Sequence, residues 1–447
     1  MDLRKPTGSL VPLACLAMLL NACQLTGHTE SSVSTAPATF SSLAPLPPTR
    51  SPMPASSTPE LCPALLAIAT LVTPSFVGTS FPPLAAPSFL YVNQNELLEY
   101  NYSSKAESTH VADLAELGAI LDVIRLGDQV FVLREQGFEQ VMLKEGSSEL
   151  VVYFDPPARF GTLMPLDDGN VIYQLAVDAS QAPGGTRTVV GLFQPSSNSA
   201  RIILSPEQNV TLLGQTADRK GLYLLPRAQD RSITSVLEMS LVSEEITDQL
   251  SLAGDDARLS PDGRLILTLS RGSFAAYDLA SMPRRVRSIA LPEMSGHIRE
   301  LVWSTKGYVY FSLLAGDFYD YDPDNPPASL GLWRLEYSTG GLCQISGGSK
   351  QERQLLSFSP SSEILVTGDL QGNVQIWDLC AEHMTAEVEA PKGELEAHGP
   401  DLSGQWVLLR DRTRSITILV DLLAGTDYSV SLPVRATFVD WSTEGQE

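Results

Sequence analysis

Three aspartates, Asp320, Asp322 and Asp324, alternate in the segment Gly316–Pro327 (GDFYDYDPDNPP), and Asp317 precedes them. Carboxylates at every second residue are how a calcium-binding loop begins. A complete loop of that kind also needs glycine at its sixth position and a bidentate glutamate at its twelfth. Neither is present: no glycine follows Asp324, and the twelfth residue is Gly331. The same segment carries Phe318, Tyr319 and Tyr321, amphipathic rings of the kind enriched at protein interfaces. Asp317, Phe318, Tyr319, Asp320, Tyr321, Asp322 and Asp324 are therefore candidates for binding a partner. Calcium on Asp320, Asp322 and Asp324 is the weaker alternative, and a solvated turn stiffened by Pro323, Pro326 and Pro327 is the plainest. A second candidate is basic: Arg410, Arg412 and Arg414 in the stretch RDRTR.

Catalytic chemistry has no comparable signature. The chain contains no G-x-S-x-G elbow, no H-E-x-x-H pair and no glycine-rich phosphate loop. Its five histidines (His28, His110, His297, His383 and His398) show no ligand-like spacing, and no C-x-x-C occurs. No catalytic residue, cofactor or metal is assigned from the sequence. Some enzymes assemble a site from residues far apart in sequence, so an enzyme stays as an alternative reading.

The first residues read as an address. Arg4 and Lys5 precede an apolar run from Leu10 to Leu20, followed by Asn21-Ala22-Cys23. Charge, a short apolar core and a small residue before the cut describe a secretory signal over residues 1–22. Leu20-Asn21-Ala22-Cys23 resembles the bacterial lipobox, which implies lipid attachment at Cys23 and a place in the cell envelope outside the cytoplasm. Residues 23–60 are rich in Ser, Thr, Pro and Ala and cannot bury enough apolar surface to order themselves, so they read as a tether. Residues 61–87 include an apolar run, Leu61–Val72, too short to span a bilayer, and read as an irregular segment packed on the folded domain. Beyond Cys15 and Cys23, three cysteines remain: Cys62, Cys343 and Cys380. An oxidising compartment gives one disulfide and one free thiol, and Cys343 and Cys380, on neighbouring repeats, are the expected pair.

The formal net charge is −22, which argues against nucleic acid and against docking on anionic headgroups. Membrane contact is expected through the lipid anchor only.

The elements that position these residues come from a repeat. Leu356–Leu379 reads LSFSPSSEILVTGDLQGNVQIWDL, and Arg258–Leu279 reads RLSPDGRLILTLSRGSFAAYDL. Each has a Ser-Pro turn, an apolar run, a second turn, and a run ending aromatic-Asp-Leu. A small residue opens such a run at Gly127, Gly169, Gly221, Gly263, Gly307, Ser362 and Gly404. The runs are rich in Val, Ile, Leu, Tyr and Phe, which reads as strands rather than helices. The pattern resembles WD-repeat and related propellers, at four strands per unit, over residues 88–445. Trp377-Asp378 keeps that family's Trp-Asp pair, and Tyr277-Asp278 is its variant. Gly296-His297 stands where a Gly-His pair opens a repeat. The resemblance implies structural roles for His297, Trp377, Asp378, Tyr277 and Asp278. Trp303-Ser304 and Trp333-Arg334-Leu335 resemble the periplasmic propellers of the Tol envelope system.

Trp441-Ser442-Thr443-Glu444-Gly445 nearly repeats Trp303-Ser304-Thr305-Lys306-Gly307, the end of an innermost strand. Phe89–Val111 shows only later strands. The C-terminus is thus expected to supply the inner strand of the N-terminal blade, which removes open sheet edges. The expected fold is all-β: a propeller of eight four-stranded blades, or of seven if Ile120–Phe154 is not a full blade. The expected function is a lipid-anchored, extracytoplasmic scaffold for an unidentified protein partner. The alternatives are a propeller hydrolase, lactonase or lyase with a central-channel site, and a structural protein of envelope assembly.

Overall fold

The computed structural model describes Thr70–Val72 and most of Ala86–Ser442. Outside the described residues lie 1–69, 73–85, 102–106, 179–185, 205–209, 227–232, 255, 271, 280–285, 292–295, 316–327, 347–352, 360–361, 370–372, 381–382, 390–394, 402, 412–415 and 443–447. All described residues belong to the unit Ser56–Glu447. Among them the only helical turn is the three-residue Pro195–Ser197, and no helix is long and apolar enough to cross a membrane.

Eight sheets form the propeller, each with four antiparallel strands running from the inner to the outer edge, consecutive in the chain in all but the first blade. The first blade is composite. Its inner strand is Thr437–Trp441, and its outer three are Phe89–Asn93, Glu96–Asn101 and Glu107–Asp113. Phe89 pairs with Trp441 and Tyr91 with Phe438, so the two ends of the chain share one sheet as expected. The second blade, Ile120–Tyr153, is complete, and the count is eight rather than seven. The third to eighth blades begin with inner strands Ala158–Pro165, Val210–Gln215, Asp256–Leu259, Gly296–Trp303, Arg353–Ser359 and Leu395–His398.

The hydrophobic core is divided in the same way. Each of eight clusters joins two neighbouring blades, so burial belongs to the seams. Second strands are packed on both faces: Val130–Leu133 and Trp406–Leu409 are wholly buried. The inner strand Ile120–Leu126 is half-buried along its entire length, as expected for a strand lining a channel.

The small residues that marked the repeat have a backbone reason. The turn from first to second strand needs one left-handed residue, supplied by Gly127, Gly169, Gly263, Gly307 and Gly404. At Gly263, φ is +70°, and a Cβ would run into the backbone of Gln215–Ala217 in the preceding blade. In the fourth and seventh blades Arg219 (φ 63°) and Glu363 (φ 53°) take this conformation instead.

One strand lies outside the repeat. Thr70–Val72 adds in parallel to His383–Glu389, the outer strand of the seventh blade, pairing Thr70 with Ala386 and Val72 with Val388. It covers an edge that would otherwise present unpaired backbone groups.

The expected cysteine pairing is corrected. Cys343, on the outer strand Gly341–Ser346, is disulfide-bonded, whereas Cys380 is a free, exposed thiol. The partner of Cys343 therefore lies outside the described residues. Cys380 follows the third strand of its blade and sits against Lys306, whose ammonium is held above its ordinary pKa chiefly by that sulfur.

Candidate functional site

Strand alternation assigns the loops to two faces. One face carries the first-to-second and third-to-fourth turns. The other carries the second-to-third turns together with the connections between blades. Loops on a rigid frame are where binding tends to sit, and the second face has the longer ones.

The inner strands that ring the channel are tied to one another by side chains. The position just after a bulge carries the tie. Ladder register shifts between Ile120 and Asp122, between Ile298 and Glu300, and between Leu355 and Ser357. A bulge re-aims the residue that follows it. The Asp122 carboxylate accepts from Leu163 N (2.7 Å) and from Thr162 Oγ1 (3.1 Å) on the next inner strand. Glu300 accepts from Leu355 N of the next blade, and Ser357 Oγ donates to Gly399 O (2.7 Å) in the blade after that. Asp440 holds the corresponding place on the closing strand, after the shift opposite Leu90 and Tyr91. Burial pushes its carboxyl pKa up, partly offset by Trp441 N–H and by Arg125. Arg125 Nη1 in turn donates to Trp441 O (2.7 Å).

A buried ion pair lies at the second-to-third turn of the second blade. Arg134 and Glu139 are 2% and 1% exposed, with Nε and Oε2 3.5 Å apart. Burial raises the pKa of Glu139 and lowers that of Arg134. Both groups are also committed to backbone. Arg134 donates to Gln94 O (2.6 Å) and Gly118 O (3.1 Å), and Glu139 accepts from Ala115 N (2.7 Å). The pair thus clamps the first blade to its connection with the second.

Arg410 has a similar task, which corrects its expected place in a recognition loop. It lies on the strand Trp406–Asp411 and is 4% exposed. Its guanidinium donates to Pro433 O (2.9 Å), Val434 O (2.6 Å) and Ala436 O. It holds the connection that leads into the closing strand. Arg412 and Arg414 lie outside the described residues, as do Asp317, Phe318, Tyr319, Asp320, Tyr321, Asp322 and Asp324, and Cys23.

Trp377 and Tyr277 are buried at the ends of third strands, and the following Asp378 and Asp278 are half-buried. Trp377 Nε1 is buried with no hydrogen-bond partner among the described residues. His297 falls on the inner strand Gly296–Trp303, across from Leu314.

Two aromatic side chains that sequence reading passed over stand out on the face with the blade connections. Tyr153 ends the outer strand of the second blade, and Phe160 lies near the start of the next inner strand. They are 59% and 72% exposed. Beside them Arg159 pairs with Asp178 (2.6 Å) at the mouth of the second-to-third loop of the third blade. Both lie within apolar, strand-like runs, and only their exposure in the fold sets them apart.

No protein-family profile and no curated protein matches the chain by sequence. Solved structures do match by shape. Apo AztD from Citrobacter koseri aligns at TM-score 0.52 and 10% identity, over 80% of this chain and 100% of its own. The dihydro-heme d1 dehydrogenase NirN in complex with DHE aligns at 0.50 and 16%, over 83% and 78%. The C-terminal WD40 domain of Sif2 aligns at 0.50 and 11%, over 79% and 96%. A prolyl endopeptidase is matched at 0.48 and 13%, over 71% of this chain and half of that one. At these identities the likeness is one of fold: the chain is an eight-bladed β-propeller whose structural neighbours include a dehydrogenase and a WD40 domain.

Proposed function

We propose that the chain is a lipid-anchored, extracytoplasmic scaffold that binds a protein partner through the face carrying its blade connections. The observation that carries this reading is the exposure of Tyr153 and Phe160 on that face. Large aromatic side chains contribute much of the binding energy where an interface buries them. The inner-strand carboxylates Asp122 and Glu300 support the same reading, because each is already committed to backbone of the adjacent blade. A group held in that way braces the ring and is not poised for proton transfer. The lipobox at Leu20–Cys23 supports attachment to the envelope.

The test is affinity capture from envelope extract, with the wild-type domain beside Tyr153→Ser/Phe160→Ser and beside a variant with Gly316–Pro327 shortened to a tight turn. A partner captured by wild type and lost in either variant supports the scaffold. Equal capture by all three removes this face. Mass measurement of wild type and Cys23→Ala tests the anchor, since only wild type should carry acyl chains.

A central-channel enzyme is the second reading, and Asp440 carries it. Its carboxyl is raised by burial on an inner strand, beside Arg125. Hydrolase or lyase turnover abolished by Asp440→Asn would favour that reading over the scaffold. A structural role in envelope assembly is the scaffold reading with a membrane-bound partner.

A further inference from the structure

A group of polar residues lies on the outer hairpin of the first blade, away from the inner-strand ties. Strand Glu96–Asn101 pairs with Glu107–Asp113 so that Glu96 faces Asp113, Leu97 faces Ala112 and Leu98 faces His110. Val111 is the extra residue of a bulge. Without it His110 and Asp113, three apart, would point to opposite faces of the sheet. With it the alternation skips one residue, and both share a face with Glu96. His110 Nε2 is 2.9 Å from Asp113 Oδ1. One ligand atom each from Glu96, His110 and Asp113 lies within 4.8 Å of the other two.

Two features make this more than a crowded surface. Glu96 and Asp113 are like charges placed directly across a ladder, a destabilising arrangement that a cation between them would relieve. The backbone that carries Asp113 is also held on both sides. Leu114 N donates to Asn95 O (2.7 Å), and Ser148 Oγ donates to Asp113 O (2.6 Å). The carboxylate therefore projects from fixed backbone. Two carboxylates and one imidazole give a mixed oxygen and nitrogen donor set. Imidazole suits zinc and its neighbours, whereas calcium and magnesium prefer oxygen alone. Three protein ligands leave the fourth tetrahedral position to water.

We propose that Glu96, His110 and Asp113 form a surface site for one divalent transition-metal ion of the zinc class. The ion would bridge the third and fourth strands of the first blade, Glu96–Asn101 and Glu107–Asp113, and fasten the outer edge of that composite blade. The site is open to solvent on one side, so the ion exchanges with the medium, and no residue of the inner ring takes part.

The test is zinc titration of the full chain carrying Cys380→Ser, so that this exposed thiol is not a competing ligand. Binding is followed by competition with a chromophoric zinc indicator and by the shift in melting temperature. One zinc per chain is expected. His110→Ala and Asp113→Asn should each weaken it at least about 10-fold, since loss of even an outer-shell partner costs that much. His383→Ala should leave it unchanged, and calcium should not displace it. Circular dichroism establishes that the variants keep the β-sheet spectrum. Absence of zinc binding overturns the site. So does zinc binding that survives both substitutions, or that calcium displaces as readily as zinc itself.

Discussion

Two seams of the ring do the same job with different side chains. Between the seventh and eighth blades the buried cluster is aliphatic, with Val366, Val374, Ile376, Val388, Val407, Leu409, Ile418 and Val420. Between the eighth and first it is aromatic, with Phe89, Tyr91, Tyr100, Trp406 and Trp441, and Phe438 packed against it. Phe89 stacks on Tyr100 at 5.2 Å and meets Trp441 edge-on at 6.0 Å, while Phe438 lies 4.4 Å from the His398 ring. In both seams the chain itself runs from one blade into the inner strand of the next. At the second, the inner strand and its neighbours come from opposite ends of the chain, and only packing and hydrogen bonds complete the first blade. Large rings bury more area per residue and carry a preferred geometry. The aromatic solution is not reserved for the closure, since Phe131, Phe138, Phe154, Tyr173 and Phe193 fill the seam between the second and third blades; at the closure it places rings on a strand pair that the chain does not join directly.

Deleting residues 436–447 should break that comparison most severely, because it removes the closing strand outright. The expected outcome is loss of a single cooperative melting transition. An unchanged transition would mean that the first blade does not depend on Trp441 and its neighbours. Next in size are two single truncations. Trp441→Ala should cost ~3–5 kcal/mol and Leu409→Ala ~2–5 kcal/mol by denaturant titration. Their location should differ more than their size. Trp441→Ala should speed amide exchange in Phe89–Asn101 ahead of global unfolding, whereas Leu409→Ala should lower protection across the ring. Matching exchange patterns would erase the distinction between the seams.

Arg410→Met comes third. It leaves the Pro433, Val434 and Ala436 carbonyls without their donor and should cost about 2–3 kcal/mol, with the loss focused on the closing strand. Asp122→Ala, which removes a tie in an ordinary seam, should cost about 1–2 kcal/mol and should not favour local opening at the closure.

The smallest effect is a pH dependence. The folded-state pKa of Asp440 is raised by burial. The stability contributed by its protonated form is complete below the unfolded value and is lost as pH rises through the folded one. Asp440→Asn stays neutral, so it should be slightly more stable than wild type at neutral pH. The gap should close on acidification, measured from about pH 7 to about pH 3. A variant less stable at neutral pH would show that attraction to Arg125 outweighs desolvation.

Most of the architecture was legible because turn chemistry recurs. Five of the marker glycines sit at the one left-handed position of their turn, and the Trp303 and Trp441 segments occupy matching inner-strand ends. The marker faded where another residue took that conformation. Glu363 does so while its carboxylate accepts from Ser304 Oγ (2.6 Å) and Thr305 N (2.8 Å) of the preceding blade. A glutamate in a turn does not announce such a role. The sites were less legible because they depend on register. His110 and Asp113 share a face only through the bulge at Val111, and alternation read from sequence puts them on opposite faces. Arg410 looked like the start of a basic loop, yet it is the penultimate residue of a buried strand. The cysteine pairing failed for a related reason. Adjacent blades bring Cys343 and Cys380 near in sequence order, but Cys343 stands on an outer strand and Cys380 in a turn after a third strand.

The strand Thr70–Val72 has a mechanical consequence. It is fastened to the seventh blade, while the chain enters the closing seam only at Phe89 in the first. The cysteine bonded to Cys343 also precedes this strand, so tension drawn from the N-terminal side is delivered to the outer strands of the sixth and seventh blades before it reaches the aromatic seam. The disulfide bears that load together with the three parallel-paired residues, sparing the pairing of Phe89 with Trp441, whose strands come from opposite ends of the chain.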